Sequence, residues 1–204
     1  MKNNRFKRSS IPEFLEDLQS YNQIIGIAEI ARRYFAMNAF DGVLTTIGVL
    51  VGNYLAGVRD LSIPIRTGIA TSIAMGISGL WGAYLTETAE RRRELTELER
   101  ISLIDQSETS IGRASRFAVI VVSIVDGLAP ALAAIIVMIP LFFGGLIGNP
   151  LLSYAIAGGV ALLSLFALGL FLGKVSKENL IGYGFKTLLA GLVAIAINLL
   201  LGAE

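Results

Sequence analysis

An all-α integral membrane protein of five transmembrane helices is the fold class this sequence predicts. Composition is the first reason: 54% of the 204 residues are hydrophobic and 16% charged, with a mean hydropathy of +0.68. Soluble domains carry roughly a quarter charged residues. The second reason is length. Five apolar stretches, at about 35–58, 65–86, 117–143, 151–172 and 180–201, reach the ~20 residues that cross a hydrocarbon core. The third is the placing of 22 glycines, many inside those apolar runs, where soluble helices avoid glycine and membrane helices tolerate it.

Residues 1–33 read as a cytoplasmic tail and an amphipathic helix ahead of a 34–204 transmembrane domain. The tail is basic, with Lys2, Arg5, Lys7 and Arg8, and has no apolar core of signal-peptide type, so no cleaved signal is expected. Ser10 and Glu13 form a capping box that starts a helix. Phe14, Leu18, Tyr21, Ile25 and Ala28 then share one face. Such a helix either lies in the membrane interface or packs on the cytoplasmic end of the bundle.

The remaining elements follow in order. The first and second spans are joined by a short link. The second runs directly into 87–116, a charged, helix-forming cytoplasmic segment with room for one helix and a return. The third span is the longest, and Pro130 and Pro140 lie inside it, as in a kinked or tilted helix. The fourth and fifth close the chain. Lys and Arg gather in the N-terminal segment, in 87–116 (Arg91, Arg92, Arg93, Arg100, Arg113, Arg116) and around Lys174, Lys177 and Lys186, against only Arg59 and Arg66 on the other side. By the positive-inside rule the N-terminus and 87–116 are cytoplasmic and the C-terminus is outside.

A chain without Cys or His excludes disulfides, thiolate metal sites, Cys nucleophiles and imidazole proton relays. Any metal must be held by carboxylates, amides, hydroxyls, backbone oxygens or Met sulfur. Two ionisable residues lie at membrane depth, where each costs ~2.5 kcal/mol or more and points to a functional site. Asp41 is eight residues past Arg33 and Asp126 ten past Arg116, or ~12 and ~15 Å from the cytoplasmic end. Met75, twelve residues before Glu87, and Asn198, twelve past Lys186, lie ~18 Å in. Four helices thus bring one candidate ligand each towards a common plane.

Asp41, Thr45, Gly48 and Gly52 share a face of the first helix; Gly68, Thr71, Met75, Gly79 and Gly82 share one of the second; Gly184, Thr187, Gly191, Ala194 and Asn198 share one of the fifth. Small residues at this spacing let helices approach closely. The faces are packing seams with incidental polar groups, or a lined pathway; packing alone does not need the Asp41 carboxylate. Pro130 has no N–H for the carbonyl of Asp126, which leaves a free backbone oxygen beside a carboxylate. That oxygen must face a cavity, an ion or a partner helix. Glu87, Glu90, Glu94 and Glu97 fall within ~80° of one another on a helix. Either a cation relieves their repulsion, or Arg91 and Arg93 offset it on a solvated face.

At this point the residues resemble a known family. FDGVLTTIGVLVGNYLAG is similar to the first-helix signature of the vacuolar iron transporters, and SIAMGISGLWGAYLTETAERRRELTELER to their second helix and its Glu-rich extension. KTLLAGLVAIAINLLLG is similar to their closing helix, and the resemblance covers residues 30–204. It implies a homodimer that exports Fe²⁺ or Mn²⁺ from the cytosol, in exchange for protons. Asp41 and Met75 match the residues that line the family's path at the dimer interface, and Glu87, Glu90, Glu94 and Glu97 are the nearest matches to its cytoplasmic metal-binding glutamates. The family's cytoplasmic domain has three helices, against about thirty residues here, and Asp126 has no counterpart.

The chemistry agrees with the metal reading, since a carboxylate with a thioether suits a borderline transition metal. Asp41 would hold proton and metal in turn. The transported ion is the only expected metal, with no tightly bound cofactor; the partners expected are membrane lipid and a second copy, and no nucleic acid. The expected location is the cell membrane of a prokaryote, or a vacuolar or other endomembrane otherwise. Two aspartates in a membrane also suit a proteolytic dyad, but AFDG and IVDG are not the usual GxGD context, and no enzyme is expected. The other alternative is a non-transporting sensor or scaffold on the same bundle.

Overall fold

The computed structural model describes residues 19–202. The helices are α1 (Ile27–Leu55), α2 (Ser62–Ser102), α3 (Ser110–Phe142), a single turn α4 (Gly144–Ile147), α5 (Pro150–Ser176) and α6 (Leu180–Leu201). Five paths, with α3 and α4 counted together, are long and apolar enough to cross a membrane. The chain is therefore an all-helical, multi-pass membrane protein.

Local chemistry sets the helix ends. α1 stops at Leu55, three residues short of the predicted 58, because Gly57 turns left-handed at φ 71°. Gly57 N–H donates to Tyr54 O and Val58 N–H to Asn53 O, the paired bonds of a Schellman motif. Thr109, Asn149 and Asn179 cap α3, α5 and α6, each side chain accepting a backbone N–H of the first turn. Pro150 follows Asn149 at the first helical position of α5, where its missing N–H has no helical partner to lose. α2 continues through the charged segment as one 41-residue helix, and residues 103–109 make the return. In that return Asp105 accepts the Ser107 N–H at 2.8 Å, and its bonds to Ser107 hold its carboxyl below the usual range. α3 passes through Pro130 and Pro140 without ending.

The capping box at Ser10 and Glu13, with Phe14 and Leu18, lies outside the described residues. Residues 19–25 are helical, and Gly26 at φ 71° separates them from α1. The ring of Tyr21 packs on Phe117 at 5.8 Å, while Ile24 and Ile25 share a hollow with Leu95, Leu98 and Ile111. This stretch rests on the ends of α2 and α3.

The core lies where α1, α3 and α5 meet, around Val43, Ile47, Ala133, Val137, Ala161 and Leu165. α2 packs chiefly on α3, and α6 on α5. Small residues permit these approaches. A Cβ at Gly42 would meet the Pro130 carbonyl oxygen and come within 2.7 Å of its Cα; one at Gly127 would come within 2.7 Å of Gly76 O. Thr187 Oγ1 donates to Leu165 O at 2.8 Å, tying α6 to α5. Thr46, Ser72 and Ser123 instead satisfy themselves on carbonyls one turn back in their own helices, as a waterless surrounding requires.

Candidate functional site

α1 and α2 both lean on α3 and touch each other much less, so a crevice opens between them with α3 as its floor. It holds a cavity of about 410 Å³ lined by Asn38 and Asp41 from α1, Ala74, Met75, Ser78 and Gly79 from α2, and Pro130 from α3. Asp41 and Met75, on different helices and 34 residues apart in sequence, thus come to one space. Asp41 is exposed within the protomer and Met75 half-buried.

Asp126 lies behind this wall and is buried, 7% exposed. Its carboxylate accepts a hydrogen bond from the Asn38 amide, which also donates to Tyr34 O at 3.0 Å. The backbone oxygen that Pro130 leaves free is covered by Gly79: a Cβ there would sit 2.9 Å from Asp126 O and 3.1 Å from Oδ2. Asp126 is therefore one hydrogen bond removed from the cavity, through Asn38. Asn38 and Ser78 did not emerge from the sequence as site residues. The available signal was that Asn38 precedes Asp41 by three positions, one turn away on the same face.

The other predicted residues lie elsewhere. Thr45, one turn beyond Asp41, does not line the cavity. Asn198 donates to Ala194 O at 2.8 Å, and its Oδ1 faces Gly48 of α1; α6 touches α1 and α5 but not α2. The acidic stripe is largely matched by arginine. Glu87, 6% exposed, accepts the Tyr34 hydroxyl at 2.9 Å and pairs with Arg91 at 3.3 Å. Arg91 also reaches Glu94 at 2.6 Å, and Arg93 pairs with Glu97 at 3.2 Å. Glu90 is exposed. Among the described residues no three Asp or Glu side chains gather as a metal cluster.

No protein-family model matches the chain. The uncharacterized protein MJ0645 of Methanocaldococcus jannaschii is 31% identical over 191 residues, covering 92% of this chain and 94% of that protein. The chain belongs to the family of MJ0645. The likeness runs over nearly the whole length of both proteins. It brings no activity with it, so function rests on the chemistry of the cavity. That chemistry is a carboxylate, a thioether, an amide and a hydroxyl around one cavity, a donor set that suits a borderline divalent cation better than a hard one.

Proposed function

We propose that this protein exports a divalent transition-metal ion, Fe²⁺ or Mn²⁺, from the cytosol in exchange for protons, as a homodimer. One observation carries the reading: Asp41 and Met75, on different helices, line the same cavity. Their incomplete donor set suits transport, since an ion held in a closed site cannot leave. A carboxylate left facing lipid is costly, and Asp41 is exposed within the protomer. A second copy laid across the α1–α2 crevice covers it and supplies a second Asp41 and Met75. The Lys and Arg distribution supports a cytosolic α2 extension, with the 19–25 segment, which rests on the ends of α2 and α3, on the same side. The role is transport rather than catalysis; Asp126 bonds Asn38, an arrangement unlike two carboxylates sharing a proton.

The test is Fe²⁺ and Mn²⁺ flux into proteoliposomes under an imposed pH gradient. Wild type moves metal in a gradient-dependent way, and Asp41→Ala and Met75→Ala each lose most of that flux. Absence of flux for both metals in folded wild type removes the assignment. One observation favours the second reading, a metal-responsive sensor or scaffold: the arginine pairing of Glu87, Glu94 and Glu97 leaves the extension poorly suited to gather metal for transport. Metal binding at Asp41 with no flux distinguishes it.

A further inference from the structure

Between the cavity and the end of the bundle that carries the α2 extension, the crevice is bridged by a short chain of polar contacts. We infer that Tyr34, Glu87 and Arg91 form a gate that closes the Asp41–Met75 cavity towards that side and opens when the Tyr34–Glu87 hydrogen bond breaks. The cavity is taken from the reading above, and the gate adds the route by which its ion is admitted.

Four observations place it. Tyr34 on α1 donates to Glu87 on α2 at 2.9 Å, bridging 53 residues of sequence, and no other side-chain hydrogen bond joins these two helices among the described residues. Glu87 is buried although it belongs to the charged extension, and both its oxygens are engaged: Oε1 by Tyr34, Oε2 by Arg91. Arg91 is itself anchored to Glu94 at 2.6 Å, so the acceptor is held in place from the far side. One turn nearer the cavity, Asn38 spans Tyr34 O and the Asp126 carboxylate. An ion leaving the cavity between α1, α2 and α3 meets this plug first.

The packing indicates which element moves. α2 is fastened to α3 by close backbone approaches at Gly76, Gly79 and Gly127. α1 is fastened to α3 at Gly42 against Pro130, eight residues beyond Tyr34, or ~12 Å along the helix. On the other side of Tyr34 its run is interrupted at Gly26, in the left-handed region. The stretch between Gly26 and Gly42 also touches α3 and α5, through Asn38 to Asp126 and Phe35 to Phe171. The Tyr34–Glu87 bond is what ties it to α2, and its release from α2 is the motion that opens the gate. Loss of one hydrogen bond to a charged acceptor shifts such a closed–open balance by about tenfold or more.

The chain has no native cysteine, so a single one reports access without background. Ser78→Cys lines the cavity, and exposed Thr96→Cys marks the vesicle side that carries the α2 extension. In proteoliposomes, a membrane-impermeant maleimide added to that side labels Thr96→Cys readily and Ser78→Cys slowly. Adding Tyr34→Phe, which deletes only the hydroxyl, raises the Ser78→Cys rate about tenfold or more; Glu87→Gln, which keeps the shape and weakens the acceptor, raises it as well. Fast labelling of Ser78→Cys with the gate intact, or a rate that neither substitution changes, overturns the gate. Labelling needs no transport, so gated access without Mn²⁺ flux leaves the gate standing and removes the transporter reading, and flux with ungated access does the reverse.

Discussion

Replacing Gly42 by alanine tests the contact on which the placing of Asp41 depends. A Cβ at Gly42 would run into the carbonyl of Pro130 and lie 2.7 Å from its Cα and 2.9 Å from its carbonyl carbon. All three are backbone atoms of a helix held in the core, so none can swing aside as a side chain would. Overpacking of this kind costs about 1–3 kcal/mol, against a gain of roughly 0.5–1 kcal/mol from replacing glycine inside a helix. Gly159→Ala isolates the second term, because a Cβ there meets nothing within 4 Å. The two variants share the propensity gain and differ by the clash alone, about 1–3 kcal/mol. At ~2–4 °C per kcal/mol for a chain of this length, Gly42→Ala melts about 2–12 °C below Gly159→Ala. The assay is thermal unfolding of the purified protein in one detergent. A Gly42→Ala midpoint level with or above that of Gly159→Ala refutes the close α1–α3 approach.

Other consequences are smaller or more local. Thr187→Val removes the α6-to-α5 bond to Leu165 O and lowers stability by ~0.6 kcal/mol, the usual scale for such bonds in membranes; a midpoint equal to that of wild type contradicts it. Arg93→Ala breaks a pair whose side chains are 70% and 61% exposed and changes stability by no more than ~0.5 kcal/mol. Arg91→Ala removes a partner from buried Glu87 and costs more, about 1–3 kcal/mol; equal effects from the two arginines count against the burial of Glu87. Gly52→Cys, exposed with nothing within 4 Å in the protomer, forms a disulfide-linked dimer on mild oxidation if the second copy covers this face of α1, and stays monomeric on a denaturing gel otherwise.

The five helices were legible because length and hydropathy alone decide what spans a bilayer, and the run of α2 into its extension because no glycine or proline interrupts residues 83–102. The stop at Leu55 was not, although Gly57 was visible: an apolar Val58 continues the hydropathy pattern past a turn that only backbone conformation reveals. Depth was legible and rotation was not. Counting residues from the charged ends put Asp41, Met75, Asp126 and Asn198 near one plane. Which way each helix turns about its axis is set by packing, and that packing brings Asp41 to Met75, puts Asp126 behind Asn38, and turns Asn198 towards Gly48. The acidic stripe carried both of its answers in the sequence. Arg91 follows Glu87 by four and precedes Glu94 by three, and the structure uses both pairs. Tyr34 reaching Glu87 was not legible, since 53 residues separate them and neither is unusual alone.

The central claim is that Asp41 and Met75 act on one ion, and a double-mutant cycle on Mn²⁺ affinity tests it most directly. Binding would be measured by titration of wild type, Asp41→Ala, Met75→Ala and the double variant in detergent. The account predicts that each single change weakens binding and that the double variant is little worse than Asp41→Ala, a coupling above ~0.5 kcal/mol as expected for ligands of one site. Strictly additive losses, or affinity untouched by either substitution, place the ion elsewhere and contradict it.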